Sequence, residues 1–232
     1  MIKNVFDKPD EQRELVNSVV ARKGGIISNV IFDYGNVLID WNPAYLFLPY
    51  FGGDEDKCRF FTENVCNRKW FTRMDRGETM DKCVADLQVQ FPEYAEAVAM
   101  FRDRWFEMCH GELPGMLEII QDLKSKGVGV YGLTNWPAET FEEARRRFKT
   151  IGSIDNYVVS SYVKLAKPEP AIYQLLLSKY NLKPEECVFI DDRKDNVNAA
   201  IAQGMTGIVY PGTAQGLLSI LNPLLGERNY LG

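Results

Sequence analysis

Apolar residues come in short unbroken runs: Val30–Phe32, Val128–Leu133, Tyr157–Val159, Cys187–Ile190 and Gly207–Tyr210. Each has the length and β-type composition of a strand buried on both faces. Between the later runs the period changes. Met116, Ile119, Ile120 and Leu123 fall at i, i+3, i+4 and i+7, with Gly127 closing the pattern, so a helix is expected there. Phe141, Ala144 and Phe148 mark another helix, and Val197, Ala200 and Ile201 mark one that stops near Gly204. Pro170 is placed to open a further helix whose apolar face carries Ile172, Leu175 and Leu176. Strands alternating with helices of this length predict an α/β fold, a Rossmann-like parallel sheet with helices on both faces.

The stretch from about Pro43 to Glu112 breaks the alternation. Met80, Val84, Leu87 and Phe91 make one helical stripe, and Tyr94, Val98, Phe101 and Trp105 make a second. No strand is expected there, so the segment is read as an inserted all-helical cap, its aromatic stripes serving as its own core. The resulting organisation is an N-terminal helical extension over 1–25, an α/β core over 26–42 and 113–232, and a cap over 43–112. In the extension, Leu15, Val16, Val19 and Val20 suggest a helix from Pro9 to Arg22 ended by Gly24 and Gly25.

Composition narrows the classes. The chain has 232 residues, 46% hydrophobic and 25% charged, with a formal net charge of -5. That charge argues against a nucleic-acid partner, which calls for a basic stripe. Arg145–Arg147 is the densest basic run and reads as a solvated helix face. No window is long and apolar enough for a membrane span, and no secretory leader pattern opens the chain, so a cytoplasmic protein is expected, a monomer or weak homodimer. Five cysteines without a CxxC spacing do not suggest a disulfide framework or a zinc knuckle.

The chemistry gathers at strand ends, where open parallel sheets bind ligands. The first run ends in Asp33, followed by Gly35 and Asn36. The second ends in Thr134-Asn135. Lys167 follows the third, and Asp191-Asp192 close the fourth. Singly, each has an ordinary explanation as a cap, a turn or a surface residue. Together they deliver a carboxylate, a hydroxyl with an amide, an ammonium and a carboxylate pair to one edge. Clustered carboxylates suit a hard divalent cation such as Mg2+. A carboxylate can also attack phosphorus, while lysine and threonine hold the equatorial oxygens.

The order Asp33-x-Gly35-Asn36-Val37, Leu133-Thr134-Asn135, Lys167-Pro168-Glu169-Pro170 and Phe189-Ile190-Asp191-Asp192 resembles the haloacid dehalogenase superfamily, from Asn29 to Tyr210. Leu133–Trp136 and Lys167–Tyr173 further resemble its sugar-phosphatase-like members. The resemblance implies Asp33 as nucleophile, with Asp33, the Gly35 carbonyl, Asp191 and Asp192 as Mg2+ ligands. It implies Thr134 and Asn135 as phosphoryl contacts and Lys167 as the neutralising cation, with Asn36 and Asn196 in support. The implied substrate is a small phosphorylated metabolite, a sugar phosphate among the candidates.

One position departs from the family pattern. Most of its phosphatases carry a second Asp two residues after the nucleophile, where this chain has Gly35. Gly35 is also a candidate for a positive-φ backbone. Asp40, Asp75, Glu78 and His110 are possible replacement acids, and the sequence does not rank them. His110, the only histidine, fits a hinge or structural role better than proton transfer. Trp41, Arg68, Trp70, Arg73 and Arg76 are possible substrate contacts. Two alternatives stand beside the phosphatase: a metal-independent haloacid dehalogenase, and a non-catalytic phosphometabolite-binding protein.

Overall fold

The computed structural model describes residues 27–226. The helix expected over Pro9–Arg22 lies outside them. Five strands form one sheet in the order β5-β4-β1-β6-β7, where β1 is Asn29–Phe32, β4 Gly129–Thr134, β5 Asn156–Val159, β6 Cys187–Asp191 and β7 Thr206–Val209. Every neighbouring pair in it is parallel. These strands coincide with the apolar runs to within two residues.

Alternate residues of the buried strands feed opposite layers, as the pleat requires. Val30, Phe32, Val130, Val188 and Ile190 pack on one face, with Met116, Ile120, Leu217 and Leu221. Ile31, Leu133, Val158 and Phe189 pack on the other, with Ile172, Tyr173 and Leu176. Helices therefore cover both faces, and β1 lies at the centre with Asp33 just beyond its carboxyl end.

From Ala44 to Met108 the described chain is helical, in five α-helices with short π and 3-10 turns. In chain order the first four are α1 (Ala44–Tyr50), α2 (Glu55–Phe60), α3 (Arg68–Asp75) and α4 (Met80–Gln90). Their caps follow from sequence, with Asn67 and Thr79 side chains accepting from Trp70 N and Lys82 N. The second aromatic stripe frames the helix Ala95–Asp103.

The absence of strand expected up to Glu112 does not hold. Cys109–Glu112 is a strand, β3, paired antiparallel with β2 (Ile39–Trp41) in a separate two-stranded ribbon. The register slips between Asp40 and Trp41. The ribbon joins the two points where the helical segment leaves and rejoins the chain. Its strands are too short for a period-2 pattern to show. All five cysteines are free. Among the described residues, no helix is long and apolar enough to cross a membrane.

Candidate active site

The sheet brings Asp33, Lys167, Asp191 and Asp192 together. Asp33 follows β1, and its backbone N–H donates to the Ile190 carbonyl of the adjacent β6 at 2.8 Å. Asp191 ends β6 and is fully buried. Lys167 is fixed through Asn135: the Asn135 Nδ2 donates to the Lys167 carbonyl at 3.0 Å, and the Lys167 N–H donates to Asn135 Oδ1 at 2.9 Å. That pair of bonds aims the Lys167 ammonium between two carboxylates, 2.8 Å from Asp33 Oδ1 and 2.7 Å from Asp191 Oδ2.

Asp191 also accepts two bonds at 3.0 Å from Asn196 Nδ2 and one at 2.9 Å from the Arg193 N–H. Asn36 takes a left-handed backbone, φ 55°, which asparagine tolerates better than most residues. Its amide reaches Asp192 Oδ2 at 3.5 Å, while its Oδ1 accepts from the Trp41 N–H at 3.1 Å. The positive φ expected at Gly35 is absent; the turn places that conformation one residue later, on Asn36.

Asp33, Asp191 and Asp192 each place a carboxylate oxygen within 4.8 Å of the others. Burial raises the Asp33 carboxyl well above its usual range; Lys167 opposes the shift, and Asp191 and Asp192 add to it. Asp192 is pushed up to about 6, by burial first and then by Asp191. Burial works against the Lys167 charge, but Asp191 and Asp33 more than offset it and keep the ammonium protonated. Three hard oxygen donors that repel one another, with one ammonium between them, suit a divalent cation.

Asp33, Lys167 and Asp192 face a cavity of about 190 Å³. Asp33, Gly35, Asn135, Lys167 and Asp192 line its sheet side. Phe71, Asp75 and Trp105 reach it from the helical segment, with Trp41 from the ribbon and Trp136 after β4. The indole Nε1 of both Trp41 and Trp105 is buried without a hydrogen-bond partner. Thr134 is fully buried and is not part of the cavity wall, although its Oγ also lacks a partner.

Of the suggested substrate contacts, Trp41 and Arg68 line the cavity. Trp70 donates to the Cys83 carbonyl inside the helical segment at 2.9 Å. Arg73 is held by Glu78 and Asp86, and Arg76 by Glu169. Phe71, Trp105, Trp136 and Arg193 were missed as cavity residues. For Trp105 the sequence carries only a helical period, which a core residue and a cavity wall share. Trp136, directly after Thr134-Asn135, could have been found from its position alone.

The family model for haloacid dehalogenase-like hydrolases matches residues 62–204. A sesquiterpene phosphatase, astK, of Aspergillus oryzae is 30% identical over 181 residues, which are 77% of this chain and 87% of that protein. A phosphorylated carbohydrates phosphatase of Thermotoga maritima is 30% identical over 179 residues, 77% of this chain and 82% of that one. Among solved structures, a HAD family enzyme of Bacteroides thetaiotaomicron in complex with magnesium and inorganic phosphate superposes with a TM-score of 0.60. It is 20% identical, over 78% of this chain and 93% of its own.

Proposed function

The chain belongs to the haloacid dehalogenase-like hydrolases and is a hydrolytic enzyme; from that premise we propose that it is a Mg2+-dependent phosphatase acting on a small phosphorylated metabolite through an aspartyl-phosphate on Asp33. One observation carries this proposal. Asp33 lies on the cavity wall with the Lys167 ammonium against it, inside a cluster of three carboxylates. Such a set opposes an anionic haloacid, because two carboxylates beyond the nucleophile add repulsion that only a cation relieves. The names of the two phosphatase relatives point the same way.

Asp33, Asp191, Asp192 and the Gly35 carbonyl would hold the ion. When bound it neutralises phosphoryl oxygens and the carboxylates around them. The chain's own groups do the rest. Asp33 supplies the nucleophilic oxygen. Lys167 lies against that carboxylate, favours its charged form against burial, and would offset charge on the phosphoryl group. Asn135 positions Lys167 and offers an amide at the cavity edge. Thr134 contributes an unpartnered hydroxyl at the tip of β4. Asn196 and the Arg193 N–H hold Asp191 still. We take residues 43–112 as a cap that shields this site from water.

The test is phosphate release from a panel of sugar phosphates, nucleotides and phosphorylated acids, with and without chelator. Asp33→Asn should abolish turnover while the fold persists, since an amide keeps the shape but is no nucleophile. More than a few per cent of wild-type activity in that variant would remove Asp33 from its role. Full activity in excess chelator, with halide released from haloacids, would establish the dehalogenase instead.

A further inference from the structure

Ester hydrolysis through Asp33 needs a second acid-base group. The departing alkoxide must gain a proton, and the water that attacks the phosphoenzyme must lose one. Gly35 provides no side chain for this. A Cβ built there would meet nothing within 4 Å, so the position opens onto empty space in the cavity.

Four acids were candidates to replace it, and their surroundings separate them. Asp40 accepts the Tyr45 hydroxyl at 2.8 Å and does not line the cavity. Glu78 is gripped by Arg73 and Lys82, which hold its carboxyl down at about 2, so it has no proton to give at neutral pH. His110 is exposed, its ring 4.2 Å from that of Tyr45 and away from the cavity. Asp75 alone of the four lines the cavity together with Asp33 and Gly35. It ends helix α3, is 3% exposed, and its Oδ1 is buried without a hydrogen-bond partner.

We propose, on the basis of the phosphatase assignment above, that Asp75 is the catalytic acid and base of this enzyme, reaching the reacting oxygens from the helical segment in place of a side chain at position 35. In the first step an Asp33 oxygen bonds to phosphorus and the bond from phosphorus to the leaving oxygen breaks. The electron pair stays on that oxygen, which takes the proton of the Asp75 carboxyl and departs as a neutral alcohol. In the second step water enters on the side the alcohol left. It bonds to phosphorus and gives a proton to the Asp75 carboxylate, while the bond from phosphorus to Asp33 breaks. Orthophosphate leaves, with Asp33 ionised and Asp75 protonated as at the start.

The surroundings suit a proton carrier. Burial pushes the Asp75 carboxyl up to about 7, with Lys167 opposing. The other charged groups on the cavity wall are Asp33, Asp192, Arg68 and Arg193. The acidic and basic groups of the adjacent helix α4 are turned elsewhere: Lys82 and Asp86 pair with Arg73 or Glu78, and Asp81 with Arg102. Its Cys83 is buried and neutral. The turn Ser160–Val163, also packed on α3, brings only Ser160, Ser161, Tyr162 and Val163.

The experiment compares an alkyl phosphate with a p-nitrophenyl-type ester in the Mg2+-loaded enzyme. Asp75→Asn should lower kcat on the alkyl ester by roughly a hundredfold to ten-thousandfold, with KM little changed. On the activated ester it should keep a first-turnover burst of phenolate followed by slow phosphate release. Adding Gly35→Asp to that variant should restore part of the alkyl-ester rate, since nothing blocks a side chain there. Equal loss of kcat/KM on both esters, or no loss on either, overturns the proposal, because kcat/KM reads the chemistry only up to departure of the alcohol. If Asp75→Asn does not fold, the wild-type pH profile decides: kcat/KM should fall above about pH 7 for the alkyl ester only, and the same alkaline limb for both esters overturns it. A wild-type enzyme that releases phosphate from no ester defeats the phosphatase assignment itself; an active Asp75→Asn variant defeats only the role of Asp75.

Discussion

A carboxyl shut away from water without a hydrogen bond favours its protonated form, and this has a cost in stability that pH exposes. Asp75 moves from 3.8 to about 7 on folding. Between those values the folded chain holds a proton that the unfolded chain has released. Stability therefore declines as pH rises through the window and levels off above it. The shift of about three pKa units sets the size, on the order of 4 kcal/mol at most. Asp75→Asn has no proton to lose, so it should match the wild type near pH 4 and exceed it at pH 8. Urea midpoints at the two pH values check this. Identical midpoints for both proteins throughout would mean that the Asp75 carboxyl is hydrated in solution. Sequence named Asp75 only as one acid among four, because burial decides between them and no local pattern encodes burial for a lone carboxylate at a helix end. Asp33 and Asp192 were legible for the opposite reason. Each follows an apolar run, and the end of a buried parallel strand is a place whose function topology dictates.

The strands of the sheet could be read because continuous burial leaves a continuous apolar run, as in Cys187–Asp191, where every residue is buried. The ribbon of β2 and β3 could not. Its strands are three and four residues long, half-exposed, and include Gly111 at φ 122°. The loop from Asp191 into the next helix (Lys194–Ala202) combines both kinds of information. Asp191-Asp192 stood out in the sequence, but only the structure shows how Asn196 divides its labour from theirs. Asn196 spends both side-chain bonds on Asp191, which Lys167 also holds. Asp192 is the less constrained carboxylate, touched by the Asn36 amide at 3.5 Å. Removing Asn196 should loosen Asp191 without unseating it, whereas removing Asp192 would delete a proposed ligand outright. Mg2+ titration by calorimetry should therefore show a clear loss of affinity in Asp192→Ala and a smaller one, roughly tenfold, in Asn196→Ala. The reverse order would take Asp192 out of the ligand set.

At the scale of the whole molecule, the helical segment leaves the core near Asp40–Pro43 and rejoins it near Gly111–Pro114, two stretches that Gly and Pro punctuate. The structure joins them into one ladder. Asp40 pairs with Gly111, Ile39 with Glu112, and the Leu113 N–H donates to the Leu38 carbonyl at 2.8 Å. Any opening of the site must then move the segment about a single hydrogen-bonded ribbon rather than about two free linkers. On the far side of the cavity the segment is latched to the core. The Met80 N–H donates to Glu139 Oε1 at 2.8 Å, Arg76 pairs with Glu169, and Trp105 meets Trp136 edge-on at 6.2 Å. The Arg76–Glu169 pair is partly exposed and the Trp105–Trp136 contact is buried, so opening has to break an apolar contact as well as the polar ones. Closure over a bound phosphoryl group would exclude water and bring Asp75 to the leaving oxygen. The Met80 amide is a direct reporter, because its partner lies across the opening. Its hydrogen exchange should be fast in the free enzyme and slow by an order of magnitude or more when Mg2+ and a phosphate analogue such as beryllofluoride saturate the site. Glu139→Ala should remove that protection and raise KM while leaving Asp33 and Lys167 in place. Equal protection of Met80 with and without the analogue would show that the segment does not gate the site.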